Sequence, residues 1–235
     1  MRVLVIDIGG SNVKFRLGGG EGKWKRPSGV DLTPGRFSVL AAPVVAEACP
    51  EVVTIGFPSV VRDDEVVEEP ENLGAGWVGF DLRGELGVPT RVINDAAMQA
   101  LGVYEGRGRM LFLGLGTGLG SAIIDCGRVV PLELGRLRYS RGRTFEDVVG
   151  KRALKAAGRA AWERAVWEVV GILRESLLTE SIALGGGNAK LLEEVPDGIR
   201  IGSNKDAVAG GVRLWRDGGI EIGASGRGCA GAREA

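Results

Sequence analysis

Short apolar runs separated by turn residues recur along the chain and predict buried strands. The runs at residues 3–8, 52–58 and 90–95 are rich in Val, Ile and Leu, and residues 12–17 alternate apolar and polar side chains. Residues 109–130 hold two such runs around a glycine-dense turn, which predicts a hairpin. The polar stretch 18–29, rich in Gly and Lys, is predicted to be a loop or hairpin tip.

Helices are predicted between these strands. The strongest extends from Arg159 to Leu178, where apolar residues recur at three- and four-residue spacing on one face. Residues 36–48, 96–104 and 204–215 also fit helices, and residues 181–195 predict a strand, three glycines and a helix. Strands that alternate with helices indicate an α/β fold, with its chemistry at the carboxyl ends of the strands.

A strand, a glycine-rich turn and a second strand occur twice, at residues 3–17 and again at 109–124. This is a loose echo rather than a repeat with the fixed period of a solenoid. The final residues, 218–235, are small and polar, which predicts a disordered tail.

The absence of histidine narrows the chemistry more than any other compositional fact. It excludes Ser-His-Asp and Cys-His nucleophiles and any zinc site built on imidazole. Acid-base catalysis near neutral pH must then use carboxylates, Lys, Tyr or Cys. The three cysteines, Cys49, Cys126 and Cys229, are too few and too scattered for a disulfide framework or a CxxC metal site.

Charge and hydropathy give no sign of a nucleic-acid or membrane partner, and a cytoplasmic protein is expected. Lys and Arg total 30 and Asp and Glu total 30, so nothing in the net charge indicates binding to nucleic acid or to an anionic membrane. No apolar run reaches the roughly 18 residues of a membrane span. The charged start followed directly by a strand does not resemble a signal peptide.

Three glycine stretches, at residues 9–14, 114–121 and 185–188, point to anion binding. None matches the dinucleotide fingerprint or the Walker A loop. Exposed backbone N–H groups, together with hydroxyls such as those of Ser11 and Thr117, can nevertheless form anion-binding nests. Each stretch alone also fits an ordinary glycine-rich hairpin, but three in one short chain favour phosphate binding.

Two carboxylates follow apolar strands. Asp7 fits either a turn cap or a residue that holds Mg²⁺ through water, since magnesium takes one or two carboxylates with water and phosphate oxygens. Asp95 fits either a helix N-cap or a general base that accepts a hydroxyl proton. The residues alone leave both pairs of alternatives open.

The order of the motifs resembles the ROK family of sugar kinases, in particular its short branch of polyphosphate/ATP glucokinases. The resemblance covers about residues 3–215 and rests on these segments: DIGGSNVK, GFPSVV, ENLGAGW, VINDAAMQALG, GLGTGLGSA, LELGRL and ALGGGNAKLL. It implies the two-lobed fold of the actin-like ATPases (ribonuclease H-like), with a cleft between the lobes. The lobes would be residues 1–95 and 96–217, with the last helix, about 204–216, packing back on the first lobe.

The resemblance also implies a role for individual residues. Asp95 corresponds to the catalytic base, and Asp7 to the residue that holds Mg²⁺ through water. The expected sugar ligands are Asn72, Asn94, Glu133 and, with a less secure alignment, Glu146. The expected phosphate and nucleoside contacts are Asp7, Gly9, Gly10, Ser11, Lys14, Gly116, Thr117, Gly118, Gly185, Gly186, Gly187 and Asn188.

The activity implied is phosphoryl transfer from polyphosphate, ATP or both to a sugar hydroxyl, most naturally the 6-hydroxyl of glucose. Mg²⁺ would be the cofactor, and the resemblance also implies a homodimer. Neither nucleic acid nor a membrane is an expected partner.

One departure from the family pattern leaves alternatives open. Arg136 stands where the family usually has a histidine that contacts the sugar and, in longer members, binds zinc, so no zinc is expected here. Arg136 could pair with a carboxylate or phosphate, or simply point into solvent. The alternatives to a kinase are a non-catalytic sugar-sensing protein of this family and a superfamily ATPase that does not depend on sugar.

Overall fold

The computed structural model describes residues 1–20, 22–203 and 205–216. The tail predicted at 218–235 lies outside the described residues. No helix in the described part of the chain combines the length and the apolar character that crossing a bilayer requires.

Strands and helices alternate through most of the described chain. The strands are β1 (Val3–Ile8), β2 (Asn12–Leu17), β3 (Lys23–Pro27), β4 (Val52–Phe57), β5 (Val61–Arg62), β6 (Glu65–Val66), β7 (Thr90–Asn94), β8 (Met110–Leu115), β9 (Leu119–Asp125), β10 (Arg128–Leu132), β11 (Arg138–Ser140), β12 (Arg143–Thr144), β13 (Ser181–Gly185) and β14 (Ile199–Ile201). The helices are α1 (Pro34–Ala48), α2 (Leu82–Glu85), α3 (Asp95–Val103), α4 (Phe145–Val149), α5 (Lys151–Ala157), α6 (Arg159–Leu177) and α7 (Asp206–Arg216).

Two five-stranded sheets follow the same plan. The first has the order β3-β2-β1-β4-β7, and the second has the order β10-β9-β8-β13-β14. In each sheet three antiparallel strands are continued by two parallel ones. The echo between residues 3–17 and 109–124 is therefore a structural correspondence, because β1–β2 and β8–β9 are equivalent hairpins.

Each sheet has its own apolar layer. One face of the first sheet packs on α1 around Trp77, whose ring lies 4.9 Å from that of Phe57 and 5.9 Å from that of Phe37. The second sheet packs on α6, where Trp162 is buried and donates its indole N–H to the carbonyl of Val149 at 2.7 Å. Burial of such large rings is the main stabilising contribution in each half.

Helices α3 and α7 lie between the two sheets and cross closely. A Cβ built on Gly210 would lie 1.8 Å from the carbonyl oxygen of Met98, so no other residue fits there without a shift. Helix α7 is also tied to the first sheet, because Thr54 Oγ1 donates to the Gly211 carbonyl at 2.7 Å and accepts from Trp215 Nε1 at 2.9 Å.

The structure confirms most of the predicted elements. Strand β1 has the predicted bounds, α1 and α6 agree to within two residues, and the predicted hairpin at 109–130 is present as β8 and β9. Two predictions were wrong. Residues 23–27, predicted as part of a loop or hairpin tip, form the edge strand β3. Edge strands tolerate charged residues, and here the charged residues leave no clear alternation of apolar and polar positions in the sequence.

The second error concerns the helix predicted after the three glycines. Only a short 3₁₀ turn, Ala189–Leu191, forms there. The chain must turn back quickly to place β14 parallel to β13. Pro196 also disfavours helical backbone at Val195.

Candidate active site

The carboxyl ends of the first sheet bring Asp7 and Asp95 to the same edge. In the parallel part of the sheet Asp7 pairs with Gly56, which in turn pairs with Ile93. Asp95 therefore lies two residues beyond the position level with Asp7, and the turn at 9–11 that joins β1 to β2 lies beside it.

The matching edge of the second sheet carries the other two glycine segments. Asn188 donates its side-chain amide to the Gly116 carbonyl and its backbone N–H to the Leu115 carbonyl, each at 3.0 Å. Gly186 has φ of +81°, and a Cβ there would lie 2.4 Å from the Leu115 oxygen. The third glycine segment is thus packed directly against the second.

A cleft of about 560 Å³ lies between these two edges, a size that accommodates a small ligand. A Cβ built on Gly120 would lie only 3.0 Å from that of Ala96, so the second hairpin adjoins Asp95. The predicted site residues that line the cleft are Gly9, Gly10, Asn72, Asn94, Asp95, Gly116, Thr117, Gly118, Glu133, Glu146 and Gly186.

Six predicted residues do not line this cleft. Asp7 and Lys14 line a second cavity and form an ion pair, with 2.9 Å between Lys14 Nζ and Asp7 Oδ2. The others are Ser11, Gly185, Gly187 and Asn188. Asn188 still contributes by holding the turn at Gly116.

Asp95 is the first residue of α3 and is partly exposed to the cleft. Burial of its carboxyl group, followed by the negative charges of Asp7 and Glu133, raises the pKa of Asp95 to about 7. The N-cap role considered for Asp95 belongs instead to Asn94, whose Oδ1 accepts from the backbone N–H groups of Ala96 and Ala97 at 3.0 and 3.1 Å. The Asp95 carboxylate is therefore available to the cleft.

Asn94 has a divided role as a consequence. Its amide oxygen is used by the cap, and its Nδ2 donates to the Ser59 carbonyl at 3.2 Å. Because an amide nitrogen carries two hydrogens, one donor of Asn94 remains for a ligand in the cleft.

Glu146 is positioned against the second glycine turn. Its Oε2 accepts from the backbone N–H of Leu119 at 3.2 Å, and a Cβ built on Gly118 would lie 2.2 Å from that oxygen. The capping box between Thr144 and Asp147 begins the helix that carries Glu146.

Arg136 forms ion pairs with two carboxylates at the edge of the cleft. Its guanidinium lies 2.8 Å from Glu68 Oε2 and 3.6 Å from Glu133 Oε2, although its side chain stays exposed. Burial raises the pKa of Glu133, and the charge of Arg136 opposes that rise. Arg136 thus links the loop before Asn72 to the turn at Glu133.

Several residues that line the cleft were not predicted from the sequence. They include Ser59, Glu71, Gln99, Thr144 and Asp147. Glu71 precedes Asn72 directly in an acidic run, which could have indicated it. Gln99 lies one helical turn after Asp95 on the same face of α3, and this spacing was the signal for it.

Asp7 has a carboxylate oxygen that could serve as a ligand of Mg²⁺. Its Oδ2 is used by Lys14, whereas no described residue donates a hydrogen bond to its Oδ1. Among the described residues, no group of three or more Cys, Asp or Glu side chains is arranged to hold a metal. A magnesium ion here would be held by this carboxylate, water and donor phosphates, the usual ligand set for that ion.

Comparisons with known proteins agree with this geometry. No family model matches the chain. The polyphosphate glucokinase of Mycobacterium tuberculosis is 30% identical over 195 residues, which cover 69% of this chain and 64% of that protein. The chain spans about three fifths of the length of the curated relatives it matches.

Solved structures give the same result for the fold. The inorganic polyphosphate/ATP-glucomannokinase of Arthrobacter sp. has a TM-score of 0.78 at 25% identity, covering 91% of this chain and 97% of that one. A ROK family glucokinase of Streptomyces griseus, solved with glucose and AMPPNP, has a TM-score of 0.77 at 18% identity, covering 92% and 100%. The predicted two-lobed actin-like fold is confirmed.

Proposed function

Because the chain belongs to the ROK family of sugar kinases, near the polyphosphate glucokinases, we propose that it transfers a phosphoryl group from polyphosphate or ATP to a sugar hydroxyl. The acceptor is the 6-hydroxyl of glucose or of a close relative. The observation that carries the proposal is Asp95, a carboxylate with a pKa near 7 in a cleft lined by the glycine turns.

The donor phosphates lie against the glycine turns. Gly9 and Gly10 in one lobe and residues 116–118 in the other line the same cleft. The N–H groups of Gly9 and Gly116 are used inside their own turns, where they donate to the carbonyls of Asn12 and Gly118. The donor would therefore be bound by the N–H groups of Gly10, Thr117 and Gly118. Such fixed dipoles stabilise charge that develops on the transferred phosphoryl group without having to reorient. Mg²⁺ near Asp7 would neutralise phosphate charge when bound.

Asp95 acts as the general base. It accepts the proton of the attacking hydroxyl while that oxygen approaches the phosphorus in line. A base is most effective when its pKa lies near the working pH, and burial together with Asp7 and Glu133 raises that of Asp95 to about 7.

The sugar is held by Asn72, Asn94, Glu133 and Glu146. The two carboxylates accept hydrogen bonds from ring hydroxyls, and the remaining amide hydrogen of Asn94 donates one. Fixing the ring beside Asp95 and the phosphate supplies the proximity that phosphoryl transfer requires.

The lobes proposed at 1–95 and 96–217 close on the substrates. Their boundary falls where β7 ends and α3 begins, so that the base lies at the junction. Closure would exclude water and limit wasteful hydrolysis of the donor.

A panel of sugars assayed separately with ATP and with polyphosphate, with phosphorylated product detected directly, tests this function. We expect a sugar 6-phosphate from glucose or a close relative with at least one donor. Sugar binding without product would favour a sugar-sensing protein, and donor hydrolysis indifferent to every sugar would favour an ATPase. Either result would contradict the proposed function.

A further inference from the structure

A second, larger cavity lies on the first sheet beside α7 and is strongly basic. Its volume is about 1240 Å³. Its cationic lining residues are Lys14, Arg16, Lys23, Lys25, Lys205, Arg213 and Arg216, whereas Asp7 is the only carboxylate among the described lining residues. Since the whole chain has no net charge, this concentration of one sign is a local feature.

Four of these cations form a grid on one face of β2 and β3. In the antiparallel register Lys14 lies opposite Lys25, and Arg16 lies opposite Lys23. Like charges directly opposite each other destabilise a sheet. Two such pairs side by side do not stabilise the sheet. The binding of an anion would explain why they are there.

Four of the seven cations have no carboxylate partner among the described residues. Within the described residues no Asp or Glu oxygen lies within 4 Å of Lys23, Lys25, Lys205 or Arg216. Lys23 and Lys25 are exposed. Arg16, in contrast, is oriented by hydrogen bonds to the carbonyls of Phe15 and Trp24 at 3.1 and 3.5 Å.

The grid adjoins the cleft at one end, through Asp7, although none of its four residues lines the cleft itself. Lys14 pairs with Asp7, and the charge of Asp7 raises the pKa of Asp95. Lys14 lies on the hairpin whose turn contains Gly9 and Gly10, which line the cleft. A chain of phosphates that starts in the cleft and leaves it along this hairpin would reach Lys14 first, and then Arg16, Lys23 and Lys25.

We propose that this cavity, here called the cationic track, binds the distal phosphates of a linear polyphosphate donor. The inference rests on the proposed function, because that function places the reacting phosphate between the glycine turns. Lys23 and Lys25, two residues apart on β3, can each bind a different phosphate of a flexible polyphosphate chain.

A nucleic acid suits this surface less well. Single-stranded nucleic acid is held by aromatic platforms as well as by cations. Tyr104 is the only aromatic side chain among the described lining residues, and the Arg213 guanidinium already lies over its ring at 6.0 Å. The track therefore offers cations without a stacking surface.

The double variant Lys23→Gln/Lys25→Gln tests the track, with Lys155→Gln/Arg164→Gln as the matched control. The control removes two exposed charges from α5 and α6, away from the track. Titration calorimetry with long-chain polyphosphate and with tripolyphosphate, in the absence of sugar, gives the affinities. Unfolding curves verify that both variants are folded.

We expect the Kd for long-chain polyphosphate to rise about tenfold in the track variant and to stay unchanged in the control. The Kd for tripolyphosphate should change little, because a short donor ends near Lys14. The slope of log Kd against log salt should fall by roughly 1.5 units, because two phosphate contacts are lost. In the sugar assay the KM for long-chain polyphosphate should rise by the same factor while that for ATP does not.

Equal affinity of the track variant and the control for long-chain polyphosphate would overturn the proposal. So would tighter binding of a single-stranded oligonucleotide than of polyphosphate with the same number of phosphates. Loss of polyphosphate binding in the track variant, combined with no sugar phosphorylation by the unaltered protein, would support the track and contradict the proposed function. If the unaltered protein phosphorylates sugar from long-chain polyphosphate and the track variant has the same KM for that donor, the proposed function is supported and the track is contradicted.

Discussion

At the scale of single residues, the chemistry depends on how Asp95 and Asn94 divide two tasks. Asn94 caps α3 through its side-chain oxygen, so Asp95 is not required as the cap and faces the cleft. Burial on the protein side and the negative charges of Asp7 and Glu133 all disfavour the ionised form of this carboxyl group. A carboxyl group with a pKa of about 7 suits the role of general base that we propose for Asp95.

We predict that this pKa governs the pH dependence of catalysis. Asp95 must be ionised to accept a proton, so kcat should be constant above pH 7 and should fall about tenfold per pH unit below it. Initial rates at saturating sugar and donor between pH 5.5 and 8.5 give the profile. Circular dichroism at each pH controls for unfolding, and an acid limb near pH 4 would contradict the raised pKa.

The residues alone could identify Asp95 but left its role open, and the family resemblance favoured the catalytic base. The apolar run before it predicted the end of a strand, and both a cap and a base fit that position. Which of the two neighbouring side chains caps the helix depends on how each turns toward the helix N–H groups, and the structure shows that Asn94 does so. The role of Asp95 as a base stays a prediction.

At the scale of elements, the crossing of α3 and α7 holds the halves of the molecule together. Gly102 on α3 and Gly210 on α7 allow the two backbones to touch, since a Cβ on Gly102 would lie 1.8 Å from the Asp206 oxygen. Helix α3 begins at Asp95, so this contact also fixes Asp95 relative to the first sheet.

We predict that Gly210→Ala destabilises the protein by roughly 1–3 kcal/mol, because its methyl group overpacks the crossing at the Met98 carbonyl. Gly171→Ala on α6 is the matched control, since nothing lies within 4 Å of a Cβ there. The control should stabilise by about 0.5–1 kcal/mol through helix propensity. Urea unfolding measures both, and a Gly210→Ala protein as stable as the control would contradict the close crossing.

Elements with a strong apolar period could be predicted from the sequence, and polar or short ones could not. Helix α6 and strands β1 and β4 have apolar residues at the positions that are buried, so their sequences predict them. Strand β3 alternates Lys with Trp and Arg, and its place is fixed by pairing with β2 rather than by its own pattern. Helices α4 and α5 are too short for a clear period and were not predicted.

At the scale of the whole molecule, the site results from two sheets with the same strand order that face each other at their carboxyl edges. The order of motifs along the chain was enough to predict this architecture, because the family resemblance covers nearly all of it. The basic segment at residues 23–26 could be recognised in the sequence as a candidate for binding polyphosphate, but its place in the cationic track could not. A register that sets Lys14 against Lys25 depends on pairing across two strands, which the sequence does not display.

Replacement of Asp95 by Asn most directly tests the idea that this carboxylate faces a phosphate cradle across the cleft. Because the variant retains shape but cannot take a proton, kcat for sugar phosphorylation should fall by about 10²–10⁴-fold. Asp31→Asn, an exposed change, should leave it unchanged. The ionised carboxyl of Asp95 is unfavourable above its raised pKa, so the free energy of unfolding of the variant at pH 8 should be no lower than that of the unaltered protein. A folded Asp95→Asn protein with undiminished kcat would contradict the account.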